Sequence, residues 1–246
     1  MGRPTREQVN ELRAIAPLVV MGPTPLLVGP CTLVTNGSQT IAFSSAELLR
    51  KAGEPLAIAL TLDCTKTIPV TSWSMGRVPH MGVMELGAPF PRDKKYDVEP
   101  ISIGSLCATV DTRGAPSALV TVERAKTGVT RRVIHVHVDN VDGGGMSDDI
   151  LTRLASPDEA GDVDANIDGA ALITWMPPDP VLGRPSEVLV VALASPYRQQ
   201  TFKPRPLAAL AELFGLDDLG RALPWDGTKK EGSNELGQSA GEIKKV

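Results

Sequence analysis

The chain has 246 residues, of which 42% are hydrophobic, 22% charged and 4% aromatic, with a net charge of −4. This composition is globular and excludes collagen-like, coiled-coil and wholly disordered chains. Its 23 Gly and 21 Pro stand against three Trp, two Tyr and four Phe, the balance of a chain with many short strands and many turns. The longest apolar stretch, residues 18–32, is interrupted by prolines and glycines, so no membrane helix is expected.

Thr5-Arg-Glu-Gln8 has the form of a capping box, and Val9, Leu12 and Ile15 follow at helical spacing until Pro17. A short N-terminal helix and lead-in are expected over 1–24. From there to about Pro196 the pattern becomes short β-rich runs divided by turn residues. Strands are expected at 25–28, 32–34, 39–43, 56–62, 68–73, 82–86, 101–103, 118–122, 132–138, 169–175 and 187–193. Only Ser45–Ala52 reads as a helical turn among them. Arg124, Lys126, Arg131 and Arg132 flank Thr127-Gly-Val-Thr130 as a basic hairpin, whose tip is expected in solvent. Leu207, Leu210, Leu213, Phe214 and Leu223 give a C-terminal helical face that packs back on the body. Residues 226–246 carry too little apolar surface to order themselves. The expected organisation is a lead-in, a main domain over 25–225 and a disordered tail.

Charge is unevenly placed. Between Asp139 and Asp168 lie eight Asp, one Glu and one Arg, a local charge of −8, which reads as a solvated loop. Neither a global basic excess nor a basic patch interleaved with aromatics argues for nucleic acid. Cys31, Cys64 and Cys107 have no CxxC spacing and argue against a disulfide framework or a zinc ribbon. Cys64 and Cys107 read as core thiols. With no leader pattern after Met1, a soluble cytoplasmic protein is expected.

Two histidines share one stretch, His135-Val-His-Val-Asp139. In a strand, His135, His137 and Asp139 fall on one face and could hold a divalent metal, while Ile134, Val136 and Val138 face the core. The simpler reading is an amphipathic strand with its polar face in solvent. The stretch resembles the HxHxD of metallo-β-lactamase-like hydrolases, but that resemblance implies a histidine directly after Asp139, where Asn140 stands, and further histidines downstream, where none follows His137.

Three stretches in order resemble landmarks of the trypsin-like (chymotrypsin-fold) serine proteases. Gly29–Val34 followed by Ile41-Ala-Phe-Ser-Ser-Ala-Glu-Leu48 is similar to the strands leading into the TAAHC turn. Pro79-His-Met-Gly-Val-Met-Glu-Leu86 with Val98-Glu-Pro-Ile101 resembles the NDIALLKL and V.PI.L segment, and Asn166-Ile-Asp-Gly-Ala-Ala-Leu172 resembles GDSGGPL. The resemblance implies an all-β fold of two packed antiparallel barrels with a cleft between them and a C-terminal helix. It places the family's histidine on Glu47, its aspartate on His80 and its serine on Asp168.

A carboxylate at the nucleophile position cannot do the acyl-enzyme chemistry of a serine whose proton is taken by an imidazole. The expected function is therefore a catalytically inactive domain, a pseudoprotease, that binds or scaffolds a protein partner, without nucleic acid or membrane and without a required cofactor. One alternative is a metal-dependent hydrolase using Glu47, His80 and Asp168, or His135, His137 and Asp139. Another is a structural component of a phage or secretion-type assembly. Oligomeric state is not legible in the sequence.

Overall fold

The structure is a computed structural model. It describes residues 12–35, 37–75, 81–91, 93, 95–102, 116–141, 150–154, 167–176, 187–194, 201–202 and 205–206. The first body is formed by β1 (Ile15–Val20), β2 (Leu26–Thr35), β3 (Thr40–Ser45), helix α1 (Ala46–Lys51), β4 (Leu56–Ala59), β5 (Thr67–Met75) and β6 (Met81–Leu86). Its strands run in the order β1-β4-β5-β6-β3-β2, and β2 pairs again with β1, closing a six-stranded antiparallel barrel. A short β7 (Ile101–Ser102) adds to β2 in parallel.

The second body contains β8 (Ser117–Ala125), β9 (Gly128–Val141), β10 (Ile150–Leu154), β11 (Ala171–Met176), β12 (Glu187–Leu193), β13 (Thr201–Phe202) and β14 (Arg205–Pro206). The sheet order is β13-β10-β9-β8-β11-β12-β14, with β13 and β14 on opposite edges. Yet these two edge pieces are separated in sequence only by residues 203 and 204. The two edges of this sheet are therefore capped by strands that are near neighbours in sequence. Closure removes exposed edges of the ring in the first body, and the two-residue strands β13 and β14 cover the edges of β10 and β12 in the second.

Core formation follows from strand alternation. In β1 and β4, Ala16, Leu18, Leu56 and Ile58 point into the first barrel with Cys31, Leu33, Ala42, Ile68 and Met84. The alternate residues Val19, Ala57 and Ala59 form a buried cluster on the outer face. Between the barrels lies a separate core in which Ile15, Val34, Phe43 and Met81 meet Ala118, Val120, Val122, Ala171 and Ile173. Every residue from Ser117 to Val122 is buried, because one face of β8 fills its own barrel and the other meets β1 and β2. Burying a side chain such as Phe43 contributes about 1.5–3 kcal/mol.

Several sequence expectations change. The barrel begins at β1, inside the stretch assigned to a lead-in, and Ile15 is a strand residue rather than the end of a helix. Pro17, read as a helix stop, lies opposite Pro30, so the two missing amide donors fall on one rung. The two strands expected at 25–28 and 32–34 are a single β2. β10 lies within the acidic stretch read as a loop. The expected strand 56–62 ends at Ala59, where Leu60 and Lys66 close a turn held by Asp63. Cys64 is half-buried in that turn with φ 58, not an interior thiol. The N-terminal helix up to residue 11, the C-terminal helical face, the tail 226–246 and Cys107 lie outside the described residues.

Candidate functional site

The candidate site begins where β3 runs into α1. Ser45 stays extended and its side chain accepts from the Leu48 amide, so it caps the first turn of the helix. This cap fixes where Glu47 leaves the barrel. Glu47 and Lys51 then stand four residues apart on one exposed helix face, with Glu47 Oε1 2.6 Å from Lys51 Nζ. Such a spacing favours an acid–base pair, and Glu N-terminal to Lys is the better order. Ser44, directly before the cap, is buried and donates to the Pro30 carbonyl at 2.7 Å.

The second barrel supplies the turn Ile167–Ala170. Ala170 donates to the Ile167 carbonyl, Gly169 to the Ala194 carbonyl, and Ala194 back to Ala170. The turn is therefore hooked to the end of β12. Gly169 has φ +80, a left-handed conformation that glycine adopts without strain. A Cβ there would lie 2.7 Å from Ser44 Oγ and 3.2 Å from the Ser45 amide nitrogen. This contact seats the turn against the base of α1 and brings the half-exposed Asp168 near the helix.

The electrostatics reflect that placement. The Lys51 proton affinity is raised first by its hydrogen bond and charge interaction with Glu47, and further by the charge of Asp168. One ammonium thus lies in the field of two carboxylates, one from each barrel. Of the serines beside the helix, Ser44 spends its hydroxyl proton on the Pro30 carbonyl and Ser45 accepts from the Leu48 amide as the helix cap.

Of the candidate site residues, Glu47 and Asp168 are therefore brought to one location, while His80 lies outside the described residues. Lys51 was not anticipated, although the Glu-x-x-x-Lys spacing inside an expected helical turn is its signal. In the second cluster, Ile134 and Val136 are buried as expected, His135 is half-buried and His137 exposed. His135 lies opposite Ala118, so its strand face turns toward the inter-barrel core rather than wholly to solvent. Asp139 is skipped in the β9–β10 register, with Val138 opposite Thr152 and Asn140 opposite Leu151. The bulge interrupts the regular alternation that joined His137 and Asp139 on one face. Among the described residues no three His, Cys, Asp or Glu side chains form a metal-holding group, and none of the helices is long and apolar enough to cross a membrane.

A closed antiparallel barrel packed across a shared core against a second antiparallel sheet, with a capped helical turn from one facing a glycine turn from the other, defines the trypsin-like all-β fold. Solved structures agree. The chain is similar to a mutant of human heparin binding protein, with TM-score 0.58 and 13% identity, covering 87% of this chain and 94% of that one. It is also similar to the apo MamO protease domain from Magnetospirillum magneticum, with TM-score 0.50 and 12% identity, covering 84% and 97%. No family model and no curated protein sequence matches the chain.

Proposed function

We propose that this is a catalytically inactive trypsin-like domain, a pseudoprotease, that binds a protein partner through the groove between its barrels. The observation that carries the reading is the Glu47–Lys51 pair with Asp168 beside it. By the sequence resemblance, Glu47 and Asp168 stand where the family has its general base and its nucleophile. A carboxylate has no hydroxyl proton to give up, and a carboxylate paired with an ammonium is a poor substitute for a neutral imidazole. The nearby hydroxyls of Ser44 and Ser45 are buried and used as structural hydrogen bonds, which supports inactivity further.

Binding at the boundary between the barrels is supported by the exposed Glu47–Lys51 pair of one standing beside Asp168 of the other, since junctions between domains are favoured recognition surfaces. One structural neighbour is named for binding heparin, which is a precedent for a binding role on this fold. The test is exposure of the purified protein to a fluorophosphonate serine-hydrolase probe, followed by capture from a native lysate with the protein and with a Glu47→Lys, Asp168→Lys variant. The expected outcome is no covalent labelling and a captured protein that the folded variant loses. Stoichiometric labelling overturns the inactive reading, and identical capture by both proteins overturns the groove as the binding surface.

A further inference from the structure

The apolar core between the barrels is non-directional, and contact area alone leaves their relative angle loosely specified. Directional contacts across that boundary gather in the β8–β9 hairpin. Arg131 Nε donates to the Ile15 carbonyl and its Nη2 to the Asp97 carbonyl, each at 2.8 Å. Two residues earlier the Val129 amide donates to the Leu62 carbonyl at 2.7 Å. Gly128, with φ +101, lies so close that a Cβ would run into that same carbonyl and sit 2.9 Å from Asp63 Cα.

The receiving surface is itself a built unit of the first barrel. Asp97 Oδ2 accepts from the Leu62 amide at 2.8 Å, and the Asp97 amide donates to Leu60 at 2.9 Å. The turn after β4 and the segment after β6 are thereby tied into one socket. Arg13 braces its far side, pairing with Glu99 at 3.0 Å and donating to the Tyr96 carbonyl. Arg124, Lys126 and Thr127 are exposed as expected of a basic tip, but Arg131 is half-buried and its guanidinium reaches two backbone carbonyls. A planar cation with donors in a fixed fork suits that task better than an ammonium.

We infer that the β8–β9 hairpin is an inter-barrel latch, with Gly128 and Arg131 plugged into the Leu62–Asp97 socket and setting the angle between the two bodies. Its release frees that angle while each body remains folded. The device goes beyond the binding role proposed above and stands or falls separately from it.

The test is amide hydrogen exchange on the full chain for Arg131→Met, which keeps the aliphatic stem without the donors, and for the milder Arg131→Lys, which keeps charge without the fork. The latch predicts that exchange of the Val129 amide quickens at least about ten-fold, the scale of a lost hydrogen bond from a charged group. The amides of Ile58 and Leu119, inside the two barrels, should hold their protection in Arg131→Lys. No change at Val129 in either folded variant overturns the latch, as does a rise of equal size at Val129, Ile58 and Leu119, which is general loosening.

Discussion

Gly169 and Ser44 lie in different barrels, yet a Cβ on Gly169 would sit 2.7 Å from the Ser44 hydroxyl oxygen. Gly169→Ala therefore meets two costs at once. The left-handed backbone conformation costs about 1–2 kcal/mol for a non-glycine residue, and overpacking a filled site costs about 1–3 kcal/mol. A fall in unfolding free energy of that combined size, read as a lower denaturant midpoint, is expected. A midpoint equal to wild type would mean that the turn does not seat against α1.

The buried pair Ser117 Oγ and Thr174 Oγ1, 2.9 Å apart, should behave non-additively. Ser117→Ala alone leaves Thr174 short of a partner in a dry environment, with an expected loss of about 1–3 kcal/mol. Replacing both, as Ser117→Ala with Thr174→Val, should cost less than the sum of the single changes. Urea unfolding of the four proteins closes the cycle, and strict additivity would show that the two hydroxyls do not interact.

Asp63 gives a pH signature. Hydrogen bonds from the Thr61 hydroxyl and from Thr65 hold its carboxyl below the ordinary value of 3.8. Because the folded-state value is depressed, the stabilisation is fully present above 3.8 and disappears as pH falls through the lower folded value. Wild type should therefore lose stability more steeply than Asp63→Asn as pH falls below 3.8. The side chain is exposed, so the difference is small, and denaturation curves at matched ionic strength are needed to read it. Equal slopes would contradict the turn geometry.

The described cysteines should differ in reactivity. Burial pushes the Cys31 thiol well above its ordinary value, and burial followed by the charge of Asp63 raises Cys64 less fully enclosed in its turn. A thiol is attacked through its thiolate. In native protein at pH 8, iodoacetamide should leave Cys31 unmodified and modify Cys64 slowly, as read by peptide mass spectrometry, with both reacting in denaturant. Native labelling of Cys31 would show that the first barrel opens readily.

Much of the architecture is written in local pattern. The runs at 68–73, 82–86, 118–122 and 187–193 all fall within observed strands, because alternation and turn residues act over a few positions. β1 was hidden because Pro17 reads as a breaker, and its partner Pro30 is known only once the strands pair. β10 was hidden by its acidic surroundings, since its place depends on β9 rather than on its own propensity. At the site, Glu47 and Asp168 were legible through resemblance to a longer pattern. The contribution of Lys51 to both carboxylates, and the burial of Arg131 at the barrel boundary, depend on contacts distant in sequence.

The way each body completes its sheet bears on the order in which they can form. Every strand of the first ring lies between residues 15 and 86, and its closing contact joins the two earliest strands, β1 and β2. The second sheet waits for β13 and β14, which make only two residue pairs with β10 and two with β12. During synthesis the first ring can be complete while more than a hundred residues are still to come. The outer edge of β10, complete by residue 154, has no partner until β13 at 201–202 arrives, an interval in which that edge is exposed to mispairing.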